Sequence, residues 1–382
     1  MILAKQGQTF ARLVSGKILF GLAVLIFLGA GRFPCPAACQ ETPPLPAARI
    51  PSLLSTLRNL PDLTFCGEPV PLDDPRIRER FEKELMLILW NRPQTLLWIK
   101  RSARYFPFIE KALHKNHLPD DLKYVAVAES ALRPHARSGK KAVGYWQFIK
   151  STGKKYGLRI DRYIDERRSL DAATRAAMAY FKDLHDLFDS WSLAAAAFNM
   201  GEKGLEAEII VQQTRNYYHL YLPLETQRYL FRIVAIKLIL ENPRAYGFRL
   251  TPADLYPPTA AEVVTIDAEK EIPVQLVAKA ARTTFKTIKD FNPQIRGHYL
   301  VAGTHVIRIP RGAARGFFRR LKKQIRKLAT LKQNRIYIVK KGDTLTRIAD
   351  QFGIPLPALL IWNRLNYRKA IHPGDRLVIY PR

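Results

Sequence analysis

From residue 77 to residue 247 apolar side chains recur at spacings of three and four, broken by short stops such as Pro119, Pro134 and Gly157. That period puts one apolar stripe on each helix, and strand-like alternation is scarce, so residues 76–255 predict a mainly α-helical globular domain. After Pro257 and Pro258 the pattern changes. Residues 261–266 read as a strand, 272–281 and 285–291 as helices, and 305–309 as a strand. The same order returns at 336–339, 345–352, 356–362 and 376–380. A small βααβ unit therefore occurs twice, degenerate at 261–310 and clean at 335–381. The connecting stretch 311–334 predicts a basic helix: residues 311–335 hold ten basic residues and no acidic one, and Phe318, Leu321, Ile325 and Leu328 fall on one face. Such a helix either lies on an anionic membrane surface or polymer, or is a solvated linker packed on its neighbours, which is the simpler reading. Proline-rich residues 40–75, with little periodicity, predict a linker. The fold class is thus multidomain α+β.

One position in the helical stretch breaks the pattern. Pro119 with Asp120 and Asp121 fits a helix start, and Pro134 biases the chain out of helix just beyond Leu132. Leu122, Val125, Glu129 and Leu132 are separated by three, four and three residues, so they share one apolar stripe. Glu129 stands where leucine or valine would normally go. A carboxylate there is unfavourable unless it is neutralised or open to a cleft. Burial raises a carboxyl pKa, and a glutamic acid protonated near neutral pH is what a general acid at a glycosidic oxygen requires. The structural alternative, an ion pair with a nearby Arg or Lys, stays open at this point.

Composition narrows the setting. The 382 residues suffice for two or three domains, and the formal net charge of +29 favours polyanionic partners without choosing among nucleic acid, lipid and acidic polymer. Cys35, Cys39 and Cys66 are the only cysteines, so no disulfide framework or zinc cluster holds the later domains. There is no phosphate loop and no dinucleotide fingerprint. Lys5, Arg12 and Lys17 precede an apolar run at 18–30, which reads as an export signal or membrane anchor within 1–39. Cys39 follows Pro36-Ala37-Ala38, an imperfect lipoprotein cleavage pattern. Export demotes nucleic acid as a partner.

Glu129-Ser130, Ser138, Gly144-Tyr145-Trp146-Gln147-Phe148, the run from Ser151 to Leu158, Asp165-Glu166-Arg167-Arg168, the run from Trp191 to Gly201 and the run from Leu222 to Tyr229 follow in an order and spacing that resembles the motifs of lytic murein transglycosylases, the membrane-bound D type above all. The resemblance covers roughly 130 residues and implies a lysozyme-like helical fold with a sugar-binding cleft. It implies that Glu129 is the single catalytic acid/base, that Ser138 and Gln147 contact sugar near the cleavage point, that Asn199 lies on the cleft floor, and that Tyr229 positions the reacting centre or the glutamate. The family pattern has tyrosine where this chain has Phe198, which keeps the ring and loses a hydroxyl hydrogen bond worth about 1 kcal/mol. Trp146 and Trp191 read as core, Gly144 and Gly201 as turn geometry.

The implied reaction needs no metal or cofactor. Glu129 would protonate the oxygen between N-acetylmuramic acid and N-acetylglucosamine, then act as base on the muramyl 6-hydroxyl, giving a 1,6-anhydromuramyl end. Asp161 and Asp165 are near in sequence, but nothing places either opposite Glu129 as a second carboxylate. The repeat opened by Gly342-Asp343-Thr344 resembles a LysM module, which binds N-acetylglucosamine-containing glycans; Asp343, Thr344 and Ile354 would border its groove. Locally, Gly342-Asp343 is a turn and Thr344 a helix cap. A hydrolytic muramidase, an inert peptidoglycan-binding scaffold and a nucleic-acid binder are the competing classes; the aromatic residues follow glycosidase-like motifs rather than a nucleic-acid groove.

Overall fold

The computed structural model describes residues 51–333, 336–367 and 370–380. Residues 1–39, expected to be an export signal or membrane anchor, lie outside the described residues with Cys35 and Cys39. Helix α1 (Leu53–Arg58) leads into a two-stranded hairpin, β1 (Thr64–Phe65) and β2 (Glu68–Pro69), paired Phe65 to Glu68. The helical domain follows: α2 (Pro75–Trp90), α3 (Arg92–Lys115), α4 (Lys123–Ser130), α5 (Lys150–Lys155), α6 (Leu170–Phe188), α7 (Trp191–Met200), α8 (Glu202–Gln212) and α9 (Leu224–Glu241). Local chemistry sets these ends. Asp74 accepts from the Arg76 amide (2.8 Å) ahead of Pro75 to start α2; Ser169 and Ser190 cap α6 and α7.

Helix α9 is the hub. It is apolar almost all round, with Leu230, Phe231, Ile233, Val234, Ala235, Ile236 and Ile239 buried, which is the signature of a core helix. It packs against α2, α4 and α7. The small residues Ala194–Ala197 of α7 are all buried, so the two helices pack closely. A buried carboxylate, Glu84 of α2, accepts from Arg228 (2.5 Å) and lies 3.5 Å from Arg232, fixing the rotation of α9 about its axis.

The predicted linker 40–75 needs correction from residue 63 onward. Leu63, Phe65, Val70 and Leu72 belong to the main core. The Glu68 carboxylate accepts from the amides of Trp191 (2.5 Å) and Ser192 (3.0 Å) and from the hydroxyls of Ser190 (3.2 Å) and Ser192 (2.5 Å). An anion on free amides at a helix N-terminus is favourable. The segment is too short for periodicity to reveal, and its partners lie far along the chain.

The first module pairs β3 (Ala261–Ala268) antiparallel to β6 (Gly303–Pro310), with β4 (Ile272–Pro273), α10 (Val274–Ala280), α11 (Phe285–Phe291) and β5 (Tyr299–Leu300) between them. Inward Val264, Ile266, Ile307 and Ile309 meet Val277 and Ile288 in its core. The basic helix α12 (Phe317–Gln333) packs on α10, and Arg320 donates to the Ala280 carbonyl (2.6 Å). Its packed face is Phe317, Leu321 and Leu328; Phe318, expected on that face, is 54% exposed. Leu321 and Leu328 pack as the spacing predicts, while Phe317 takes the place expected of Phe318 and Ile325 is 37% exposed, because the module core reaches the start of the helix. The second module has β7 (Ile336–Ile338) paired with β8 (Arg376–Val378) around α13 (Leu345–Gln351) and α14 (Leu356–Asn363). Among the described residues no helix is long and apolar enough to cross a membrane.

Glu68→Ala is expected to lower unfolding free energy by about 2 kcal/mol, since the four donors at the head of α7 lose their acceptor. Urea denaturation followed by circular dichroism checks this; a change below about 0.5 kcal/mol would mean water replaces the carboxylate without loss.

Candidate active site

Helix α4 ends sooner than Pro134 alone suggests. Ser130 is its last residue, and Ala131 and Leu132 both take left-handed backbone (φ 53° and 57°). Leu122, Val125 and Leu132 are buried as the stripe requires, and Glu129 is part-buried between them on the last turn. The Tyr229 hydroxyl, from α9, donates to Glu129 Oε1. Burial pushes the Glu129 carboxyl up from 4.5 to about 7, against the opposing pull of the Tyr229 hydrogen bond and the Arg232 charge; the Glu225 charge adds a small upward push. Burial, with the facing carboxylate, also raises the Tyr229 phenol well above its ordinary value, so Tyr229 stays a donor. The ion-pair alternative has no partner among the described residues: no cationic group lies within salt-bridge distance of Glu129, and Arg232 is held by Glu84 and Glu225.

Two further segments are tied to the helices that carry this pair. The Ser130 hydroxyl donates to the Tyr145 carbonyl (2.7 Å), tying the end of α4 to the loop 136–148. In that loop the exposed Ser138 accepts from the Ala142 amide (3.1 Å), and Gln147, at φ 47°, donates to the carbonyls of Gly144 (2.8 Å) and Ala136 (3.2 Å). Gly144 is obligatory: its φ is 89°, and a Cβ there would collide with the Arg167 carbonyl. Asn199, near the end of α7, accepts from the Thr226 hydroxyl (2.8 Å), one turn from Tyr229 on α9. Phe198 stacks on Phe181 (4.6 Å, planes 4° apart) and touches Tyr180 and Phe148. Trp146 is fully buried, donating to Thr174 (3.0 Å), and Trp191 packs on the core.

Residues 106–220 match the family described as Transglycosylase SLT domain, 262–325 the one described as Lytic transglycosylase MltD, LysM-like domain, and 337–379 the LysM domain. Membrane-bound lytic murein transglycosylase D of Escherichia coli (strain K12) is 31% identical over 332 residues, spanning 82% of this chain and 72% of that protein. The chain belongs to the lytic murein transglycosylase D family. It is therefore a lytic transglycosylase acting on peptidoglycan, with a lysozyme-like domain and LysM modules. A putative tributyltin chloride resistance protein of Alteromonas sp. (strain M-1) is 34% identical over 110 residues, 28% of this chain and 53% of that one. Among solved structures, the 70 kDa soluble lytic transglycosylase Slt70 of Escherichia coli overlaps 47% of this chain and 33% of its own (TM-score 0.33, 14% identity). An inactive mutant of lytic transglycosylase Slt from Pseudomonas aeruginosa overlaps 39% and 26% (TM-score 0.28, 19% identity).

In this transglycosylase the expected LysM residues lie in the second module, apart from Glu129. Thr344 caps α13, accepting from the Arg347 amide (3.2 Å). Asp343 accepts from the Lys340 amide (2.8 Å) and the Tyr337 hydroxyl (2.7 Å). Ile354 is in the module core, so its side chain does not border a groove. Sequence reasoning missed Glu225 and Arg232, which bias the charge of Glu129 from one face of α9. Their spacing from Tyr229, four residues before and three after, was the available signal.

The raised Glu129 pKa has a stability consequence of fixed sign. Between about 4.5 and about 7 the folded chain holds more protons at this position than the unfolded chain, so stability falls as pH rises through that window. Glu129→Gln is expected to stabilise the protein by about 1–2 kcal/mol at pH 8, part exposure having reduced the full linkage value, and to leave stability at pH 4 unchanged. Paired denaturation curves at the two pH values test it; an equal effect at both would show that ionisation is not the cause.

Proposed function

We propose that this enzyme cleaves the β-1,4 bond between N-acetylmuramic acid and N-acetylglucosamine without water, using Glu129 as its only acid/base and leaving a 1,6-anhydromuramyl end. The observation that carries the reading is the Glu129 carboxyl, raised to about 7 and held by the Tyr229 hydroxyl. Protonated Glu129 gives its proton to the leaving 4-oxygen of N-acetylglucosamine as the C1–O bond breaks. The substrate's N-acetyl carbonyl oxygen bonds to C1 and takes up the positive charge. Glu129, now a carboxylate, removes the proton from the muramyl 6-hydroxyl, whose oxygen displaces the acetamido oxygen at C1. The glutamate ends as it began, protonated. Intramolecular attack gains from the high effective concentration of a tethered nucleophile.

A second carboxylate on the opposite face would argue for hydrolysis. Asp161 and Asp165, the sequence neighbours, are engaged elsewhere: Asp161 with Arg159 (2.7 Å) and Asp165 with Arg167 (2.8 and 2.9 Å). Asn199 has its carbonyl taken by Thr226, which leaves its amide nitrogen to donate to a sugar. Ser138 and Gln147 would border the sugar from the loop 136–148, and Phe198 would contribute ring surface without a hydroxyl. The second module, through the loop at Asp343 and Thr344, would hold N-acetylglucosamine-containing strands. Tethering such a binder raises the local substrate concentration at the lysozyme-like domain. Location in the cell envelope, directed by residues 1–39 as export signal or membrane anchor, fits the relative described as membrane-bound. The net charge of +29 suits an anionic envelope polymer or membrane surface.

Digestion of purified sacculi by the full chain, beside Glu129→Gln, should release muropeptides with anhydromuramyl ends from the former only. Reducing ends would instead identify a hydrolase, and product from both proteins would remove Glu129 from the mechanism. The rate on sacculi should fall above about pH 7, as Glu129 loses the proton it must donate. Tyr229→Phe removes a hydrogen bond that favours the carboxylate, so this alkaline limb should move upward while the plateau rate drops roughly tenfold. A pH–rate profile of both proteins reads the shift, and a downward displacement would contradict the assigned donor role.

A further inference from the structure

The first LysM-like module is joined to the lysozyme-like domain by backbone pairing as well as by side chains. Ile164 bridges antiparallel to Ile295; the Asp165 amide donates to the Gln294 carbonyl (2.9 Å), and the Arg296 amide to the Tyr163 carbonyl (2.8 Å). Ile164, though part of the loop 159–168, is 4% exposed and lies in the module's apolar cluster rather than in that of its own domain. Just beyond the loop, Arg308 of β6 makes a two-pronged ion pair with Asp171 in the first turn of α6 (2.9 and 2.8 Å). The chain between the domains is strapped down too: the Tyr256 amide donates to the Lys100 carbonyl (3.1 Å) and Arg104 to the Pro257 carbonyl (3.1 Å).

The clamped loop is hydrogen-bonded to the loop 136–148 through Arg167. Asp165, 3% exposed, grips Arg167, 8% exposed, through both oxygens (2.8 and 2.9 Å). The remaining guanidinium nitrogen of Arg167 donates to the carbonyls of Lys141 (3.2 Å), inside the segment carrying Ser138 and Gln147, and of Phe148 (3.1 Å), at its end. The Arg167 carbonyl is packed against Gly144 in the middle of that segment. A planar fork held on one side by a buried carboxylate has little freedom on the other.

We propose that the first module acts as a positioning element of the active site: by clamping Tyr163–Asp165 and Asp171 it sets Arg167, and Arg167 sets the substrate loop 136–148. This rests on the reading that Ser138 and Gln147 contact the sugar. On this account the degenerate module lacks the Gly-Asp-Thr opening because its task is to brace the cleft. Asp165 and Arg167 are positioning residues; neither touches the reacting atoms.

The test uses the full chain with Arg308→Ala, which removes the ion pair, and Ile164→Asp, which puts a charge into the module's apolar cluster. Amide hydrogen exchange is read over 163–168 and over 137–148, with α9 as the internal reference. Steady-state rates are measured on a soluble uncrosslinked peptidoglycan strand. The expected result is at least tenfold faster exchange in both segments, unchanged exchange in α9, and a KM raised about fivefold or more with kcat changed less. Arg308→Lys should restore most of the KM. Wild-type exchange over 137–148 in both variants, or faster exchange there with KM unchanged, would overturn the proposal. If the wild-type protein cleaves no strand at all, the proposed function fails, while exchange still reports whether the clamp governs the loop.

Discussion

The site is organised around one unfavourable placement, a carboxyl group in the apolar stripe of α4. Between Val125 and Leu132, both buried, Glu129 has no cation within salt-bridge distance among the described residues. It therefore holds its proton to about pH 7. A nearby lysine or arginine would have paired the carboxylate and kept it charged. The single hydrogen bond from Tyr229 aims one oxygen without discharging the group.

Keeping that arrangement requires α9 to be held in rotation and depth. Glu84 fixes rotation through Arg228 and Arg232, and the alanine run of α7 fixes the approach. Glu68 then anchors the head of α7, the helix that brings Asn199 to Thr226 and Phe198 to Phe181. Buried charges here work mainly as locators. Each is placed where several donors converge, so a small shift of either partner loses more than one bond.

The two βααβ modules share an order of elements and differ in use. In the second, Asp343 and Thr344 build the turn and cap that open α13. The first spends its loop edge on the lysozyme-like domain, taking Ile164 into its own core. Its basic helix α12 is bound to it through Phe317, Leu321 and the Arg320 guanidinium, as a packed helix and not a free amphipathic one.

Much of this was legible in the chain itself. Periodicity separated a helical domain from two βααβ units, because the spacing of buried residues follows directly from helix and strand geometry. The motif series pointed to Glu129, Asn199 and Tyr229, and the stripe argument gave Glu129 a physical reason. What sequence could not settle depended on partners distant along the chain. Residues 63–72 looked like linker because Phe65 and Glu68 acquire their role only against α7 and the main core, more than a hundred residues away. The same holds for the choice of Phe317 over Phe318, for Ile354 turning into its module, and for Ile164 crossing into another core. Local spacing fixes which face of an element is apolar; only the packed chain decides what that face meets, and hence whether a charge on it is paired, buried or left with its proton.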